Sequence, residues 1–258
     1  MFGLLKTHHL IFQERRDVDG GVSSFAFRPE RPVGARAGQH GILRLSAIAM
    51  KPFSLASAPE EDRVLIGTSL ASGSAFKQRL AALQPGDAVT LHGPVNKFTL
   101  DGAAAQVVML AQGVGITPFR SMLAHIALNE LAVDSALIHV AHAGHAYRQE
   151  TAQWAPSAAY PQHADEFRTT AAATARAHPD ATFYVAGATS FVSSTAALLR
   201  DSGIASGNIR KEKYLFYKPG APRRASPPTT PPRPRRTGTH HEGNPIGPVR
   251  WPRRPTDR

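Results

Sequence analysis

The apolar positions of the first hundred residues come in short bursts. Leu10 to Gln13, Gly21 to Arg28, Gly41 to Leu45, Pro52 to Leu55, Arg63 to Ser69 and Ala88 to Leu91 are separated by turn clusters. Short runs at such intervals predict the strands of an antiparallel barrel or sandwich. One helix interrupts them. Ser74 is a candidate N-cap, Phe76, Leu80 and Leu83 form an apolar stripe, and Gln84-Pro85-Gly86-Asp87 stops the helix. From residue 104 the pattern changes to alternation. Strands are predicted at 107–111, 135–141, 181–186 and 209–213, and helices at 117–129, 145–154, 163–177 and 190–201. That order implies a parallel sheet covered on both faces.

The stretch Val107-Val-Met-Leu-Ala-Gln-Gly-Val-Gly-Ile-Thr-Pro118 carries the most information. Its first five residues have the length and β-branched content of a buried parallel strand. Gly113 and Gly115 let the backbone turn tightly and approach a ligand closely. Thr117 is placed to cap the following helix and Pro118 to occupy its first position, where the missing N–H costs nothing. The free N–H groups and positive end of that helix make a phosphate site.

Composition adds limits. The chain has 258 residues, enough for two domains of ordinary size, and 42% hydrophobic content suits a globular protein. No apolar run reaches the roughly 18 residues of a membrane helix. Met1 to Asp17 carries Lys6, two histidines, Glu14 and two arginines without a continuous apolar core, so no secretory signal is expected and cytoplasmic residence is the default. There is no cysteine, which excludes disulfides, thiolate zinc sites, cysteine nucleophiles and cysteine-bound iron–sulfur clusters within this sequence.

The net charge of +11 is concentrated at one end. Residues 219–258 hold nine arginines against Glu242 and Asp257, together with 11 of the 21 prolines. So little apolar surface predicts a disordered tail. Two readings of it stay open: a Pro/Arg arm for nucleic acid or an acidic partner, or the Arg/Pro/Ala/Gly extension that out-of-frame reading of a GC-rich gene yields. The second is preferred, so nucleic acid is not an expected partner.

Four motifs occur in a telling order. Lys51-Pro52-Phe53-Ser54 offers a cation, an aromatic face and a hydroxyl on one strand, with Phe53 on the face opposite Pro52 and Ser54. Ser72-Gly73-Ser74-Ala75-Phe76 opens the helix before the Pro-Gly-Asp turn. Gln112 to Pro118 is the glycine loop, and Tyr184-Val185-Ala186-Gly187-Ala188 ends a later strand. In this order the motifs resemble the ferredoxin–NADP reductase superfamily across 1–218. Lys51 to Ser54 is similar to its Arg-x-Tyr-Ser flavin motif, Gly73 to Phe76 to its Gly-x-x-Ser segment, Gly113 to Pro118 to its Gly-x-Gly-x-x-Pro loop, and Ala186 to Ala188 to its Cys-Gly-Pro segment. Lysine, phenylalanine and alanine replace arginine, tyrosine and cysteine, and Phe76 stands at the serine position. Ala37 to Gly41 is similar to the family's Gly-Gln turn and is read as structural.

The resemblance implies a Greek-key flavin-binding β-barrel at 1–101, an NAD(P)-binding α/β domain at 102–218 and the tail at 219–258. It implies FAD held by Lys51, Phe53, Ser54, Thr68, Gly73, Ser74 and Ala75, with Ser54 at the reactive ring edge. It implies NADP or NAD held by Gly113, Val114, Gly115, Ile116, Thr117, Pro118, Ala186 and Gly187. His142 or Arg148 would approach the adenosine ribose, and the absence of a carboxylate at 140–146 favours NADP. Tyr214 and Tyr217 are both candidates to cover the flavin. The implied activity is an NAD(P)H-dependent flavoprotein reductase passing electrons to ferredoxin, flavodoxin, a haem protein or a small acceptor. The alternative is a non-catalytic flavin- or nucleotide-binding module. His139, His142 and His145 straddle a strand end, which scatters side chains, and no metal site is expected there.

Overall fold

A computed structural model describes residues 6–100 and 105–214. The expectations for the tail and for Tyr217 lie outside the described residues. Two sheets make up the fold. The first contains β1 (Thr7–Val18), β2 (Val22–Pro29), β3 (His40–Ser46), β4 (Ala49–Ser54), β5 (Val64–Ser69) and β6 (Ala88–Val95), in the spatial order β4-β3-β6-β1-β2-β5, all neighbours antiparallel. Edge strands β4 and β5 curl back towards each other, giving a half-barrel with β6 inserted between β3 and β1. Helix α1 (Ala75–Ala81) packs Phe76 and Leu80 into its interior, and the Ser74 side chain accepts from the Lys77 N–H as the expected N-cap.

The second sheet is wholly parallel. It contains β7 (Gln106–Gln112), β8 (Asp134–Val140), β9 (Ser157–Ala159), β10 (Thr182–Ala188) and β11 (Ile209–Tyr214), in the order β11-β10-β7-β8-β9. Val108, Leu110, Ile138, Phe183 and Val185 face α4 (Ala164–Ala177) and α5 (Thr189–Asp201). The alternate residues Val107, Met109, Leu137 and Tyr184 face α2 (Thr117–Leu128). Strand β9 has three residues and was not anticipated, being too short for a periodic signal. Helix α3 (Arg148–Trp154) starts later than the pattern suggests, because Tyr147 is left-handed at φ 58°. That turn sends its ring back to the first sheet, where its hydroxyl donates to Ser24 Oγ at 2.9 Å.

The two sheets share a core. Val22, Ala26 and Leu65 of β2 and β5 pack with α2 and the second sheet, while Phe25, Phe27 and Ile66 on the other face fill the half-barrel. These strands are therefore buried on both sides and lack the half-exposed alternation of an outer wall. Helix α2 is enclosed as well, and Arg120 within it is only 1% exposed. Its guanidinium donates to Ala56 O at 2.8 Å and Glu61 Oε2 at 2.8 Å in the first unit, and to Glu150 Oε2 at 2.5 Å in α3. Tyr147 and Trp154 flank it at 5.5 and 5.3 Å. Beside it, Ser121 Oγ donates to Ser57 O at 2.7 Å and accepts from the Gly38 N–H at 3.3 Å.

Removing one partner of a buried ion pair strands the other charge and costs about 3–5 kcal/mol. Arg120→Met should lose stability on that scale in denaturant unfolding, and a loss under about 1 kcal/mol would contradict the role. Burial alone would raise the Glu61 carboxyl, but hydrogen bonding and charge from Arg120 overcome it and hold Glu61 below the ordinary glutamate range. A depressed carboxylate adds stability that is complete above its unfolded pKa, about 4.3, and is lost as pH falls through the folded value. Stability measured from pH 6 down to pH 3 should therefore fall less steeply for Glu61→Gln than for the wild type.

Candidate functional site

The cleft between the sheets is lined by the ends of β4, β10 and β11 and the start of α2. On β4, Lys51 and Phe53 share a face and both meet α1: Lys51 Nζ stands 5.7 Å from the Phe76 ring centre, and the Phe53 and Phe76 rings are 5.6 Å apart. Pro52 is exposed, and Ser54 is buried with its Oγ directed to Tyr214. Lys77, from the first turn of α1, crosses back over the Phe53 ring at 5.2 Å and contacts Thr68 Oγ1 on β5. Lys51 Nζ reaches Ser74 Oγ at 3.5 Å.

Two lysines, two rings and two hydroxyls thus interleave, and no carboxylate among the described residues pairs with either ammonium. Burial, with the charge of Lys51 adding to it, lowers Lys77 to about 8. Sequence reasoning found Lys51, Phe53, Thr68, Ser74 and Ser54 and missed Lys77. Its one signal was its place a single helical turn past the Gly73-Ser74 cap, a spacing that any surface lysine shares.

Across the cleft, β7 leads into a 3₁₀ turn, Gly113–Ile116, that runs straight into α2. Thr117 does not cap the helix as expected. It is already helical, because the 3₁₀ turn supplies the preceding coil, and its hydroxyl donates to Val114 O at 3.0 Å. Pro118 is accordingly the second helical residue and not the first, still within the turn whose N–H groups have no partner in the helix. The loop is tied down from below by His139. Burial, with the nearby His145 adding to it, lowers that imidazole to about 3, so it is neutral, and Nε2–H donates to Gly113 O at 2.9 Å. His139 and His145 meet with ring centres 5.2 Å apart, but His142 lies beside the His163 ring at 6.1 Å, so the three evenly spaced histidines do not converge as a set.

Gly115 has a different constraint from the one expected. A Cβ there would sit 2.3 Å from the Ala186 carbonyl oxygen. The residue is glycine because β10 runs against the loop, whatever ligand it meets. The same contact places Ala186 and Gly187 beside Gly113–Thr117. Gln112 opens the glycine-loop motif, but sequence analysis gives its side chain no role: its oxygen is buried without a partner at the mouth of the loop. His142 and Arg148 are exposed past the end of β8, with Arg148 stacked on Tyr160 at 4.8 Å, and the structure does not bring the two together.

Strand β11 closes the cleft. Tyr214 is half-buried, with its hydroxyl enclosed 3.0 Å from Ser54 Oγ and 3.4 Å from Thr117 Oγ1. Burial pushes the phenol up to about 12. Two residues earlier, Glu212 accepts from Asn96 Nδ2 at 3.1 Å and lies 3.4 Å from His40 Nδ1, on the strand paired with β4. Glu212 belongs to no local motif, and His40 lies in the Ala37–Gly41 turn that is read as structural, so sequence analysis gives neither a role.

Comparison with known proteins agrees with this arrangement. No protein-family model matches the chain. A flavohemoprotein of Deinococcus radiodurans is 32% identical over 107 residues, 40% of this chain and 27% of that protein. The tetrachlorobenzoquinone reductase of Sphingobium chlorophenolicum is 31% identical over 216 residues, 78% of this chain and 64% of that protein. The chain thus spans less than two thirds of the length of these curated relatives. The crystal structure of the flavohem-like FAD/NAD-binding domain of a Vibrio cholerae nitric oxide dioxygenase superposes with a TM-score of 0.64 at 20% identity, over 80% of this chain and 98% of that one. The chain is thus similar in sequence to FAD/NAD-binding reductases over part of their length and shares the two-sheet fold of the flavohem-like FAD/NAD-binding domain.

Proposed function

We propose that the chain is an FAD-dependent reductase module that takes hydride from NAD(P)H and passes the electrons to a separate acceptor. The observation that carries this reading is the Lys51–Lys77 pair beside Phe53 and Ser54. Two buried or half-buried ammonium groups with no carboxylate are costly unless an anion completes the site. The diphosphate of FAD has the charge to do so, and an aromatic face and a buried hydroxyl lie next to it for the ring. Lys51, Lys77, Thr68 and Ser74, with the backbone of Gly73 and Ala75, would hold the diphosphate. Phe53 would lie against the flavin, and Ser54 would meet its reactive edge. Bound FAD would supply a two-electron acceptor able to release electrons singly.

The remaining residues position the donor. The amides of Gly113, Val114, Gly115 and Ile116, at the start of a twelve-residue helix carrying Thr117 and Pro118, suit a dinucleotide phosphate. Ala186 and Gly187, small and adjacent, leave room for a nicotinamide between the loop and β4. His142 and Arg148 are the exposed groups for the adenosine end. Glu150 is engaged by Arg120 and so leaves that corner without a free carboxylate, which favours NADP over NAD. Relatives named as quinone reductase, flavohemoprotein and ferredoxin–NADP reductase support a reductase whose acceptor is a ferredoxin, flavodoxin, haem protein or small molecule.

Anaerobic NADPH should bleach the visible absorbance of the FAD-loaded protein, and Ser54→Ala should slow the bleaching up to about tenfold, the kinetic equivalent of one hydrogen bond. A yellow protein that neither NADPH nor NADH bleaches would reduce the site to a binding module. Lys77 gives a separate test with opposite signs in two assays. Its folded pKa of about 8 lies below the ordinary 10.5, so the charged form destabilises the ligand-free fold below pH 8, and that penalty fades as pH rises to 10.5. Lys77→Met should stabilise ligand-free protein at pH 7, with a gain that shrinks by pH 10, and should weaken FAD binding about tenfold or more. Unchanged FAD affinity in this variant would remove the anion role.

A further inference from the structure

The hydroxyls of Ser54, Tyr214 and Thr117 form a row across the cleft, and counting their hydrogens fixes what the row can do. Each carries one hydrogen and two acceptor sites. The Thr117 hydrogen is committed to Val114 O, so the Tyr214–Thr117 contact exists only with Tyr214 as donor. Tyr214 therefore has one hydrogen for two neighbours. In one arrangement Ser54 donates to Tyr214, Tyr214 to Thr117 and Thr117 to Val114, leaving Ser54 free to accept. In the other, Tyr214 turns its hydrogen to Ser54 and leaves the Ser54 hydrogen free to donate. Rotation of the Tyr214 and Ser54 O–H groups together interconverts them. Burial raises the Tyr214 phenol far above neutrality, so that hydrogen is always present.

We propose that Tyr214 is a positioning residue whose hydroxyl lets Ser54 alternate between donor and acceptor as the flavin beside it changes redox state. The inference rests on the flavin reading given above. An oxidised flavin presents a bare ring nitrogen, which accepts a hydrogen bond; the reduced ring carries N–H there, which donates one. Ser54 meets the first by donating, with the Tyr214 hydrogen turned to it. It meets the second by accepting, with its own hydrogen turned to Tyr214 and the Tyr214 hydrogen turned to Thr117. The hydride brings both electrons from the dihydronicotinamide carbon, which leaves as oxidised nicotinamide. The three hydroxyls lose and gain no proton; only their O–H bonds turn. The arrangement matched to the reduced flavin is also the one that ties Tyr214 to the nucleotide loop.

The test is an equilibrium one: the two-electron midpoint potential of FAD-loaded protein, measured by dye-coupled reductive titration. In Tyr214→Phe, Ser54 can still donate, but when it accepts, its own hydrogen is left buried and unpaired. The reduced state should lose about tenfold in stability relative to the oxidised state, lowering the potential by about 30 mV. Thr117→Val removes the far end of the row, keeps the phenol, and should shift the potential in the same direction; Thr117→Ser should restore it. The threonine pair reads the same property if the phenylalanine variant does not retain flavin. Potentials for both disabling variants indistinguishable from wild type, with FAD bound, overturn the proposal alone. Failure of the wild-type protein to bind FAD overturns the site reading and the proposal together.

Discussion

The arrangement depends on one buried cation. Arg120 sits in the helix that follows the glycine loop, yet three of its hydrogen bonds end on Ala56 and Glu61, in the loop between β4 and β5 of the first sheet. Taking a guanidinium out of water is unfavourable unless every face is satisfied. Here two carboxylates, a carbonyl and two aromatic rings do so. Those partners come from two segments of chain, the β4–β5 loop and α3, so the cation is satisfied only when the two sheets are in contact. A surface pair would contribute little and be screened by salt. This one converts docking of the sheets into a condition of folding.

Around that anchor, shorter ties fix the register. Ser121 bridges Ser57 and Gly38, Tyr147 reaches Ser24, and Tyr184 donates to Thr99 O. Gly67 admits this approach because a Cβ there would lie 2.6 Å from the Tyr147 hydroxyl and 2.7 Å from Thr117 Cγ2. The consequence reaches the site directly. Ser54 belongs to the first sheet and Thr117 to the second unit, yet both lie within reach of one phenol on β11. Transfer between two bound cofactors needs this kind of fixed approach, since small displacements in reacting geometry cost rate steeply.

Much of this was legible in the chain itself. The short strands, the α/β alternation and the glycine loop follow local rules of periodicity and turn chemistry, and α1 begins at the cap that Ser74 announces. What sequence could not supply was the meaning of residues whose role is set by another segment. Lys77 and Glu212 carry no local motif, and His40 and Gln112 sit in motifs that do not announce their own contacts. Gly115 reads as a ligand-contact glycine but is required by the Ala186 carbonyl. Thr117 reads as a cap, and the 3₁₀ turn ahead of it makes it a helical residue that bonds backward. The phenol beside Ser54 is not at Phe53, where the motif would place one, but arrives 160 residues later from Tyr214.

Chains with two sheets joined end to end commonly unfold in separable steps, because each sheet has its own core. Here the shared core around α2 and the Arg120 ties make the two one cooperative unit. Differential scanning calorimetry of the whole chain addresses this directly. A single transition with equal calorimetric and van't Hoff enthalpies is the expected result. Two resolved transitions would mean that the sheets fold and dock independently, and the fixed meeting of β4 with the glycine loop could not rest on the buried arginine.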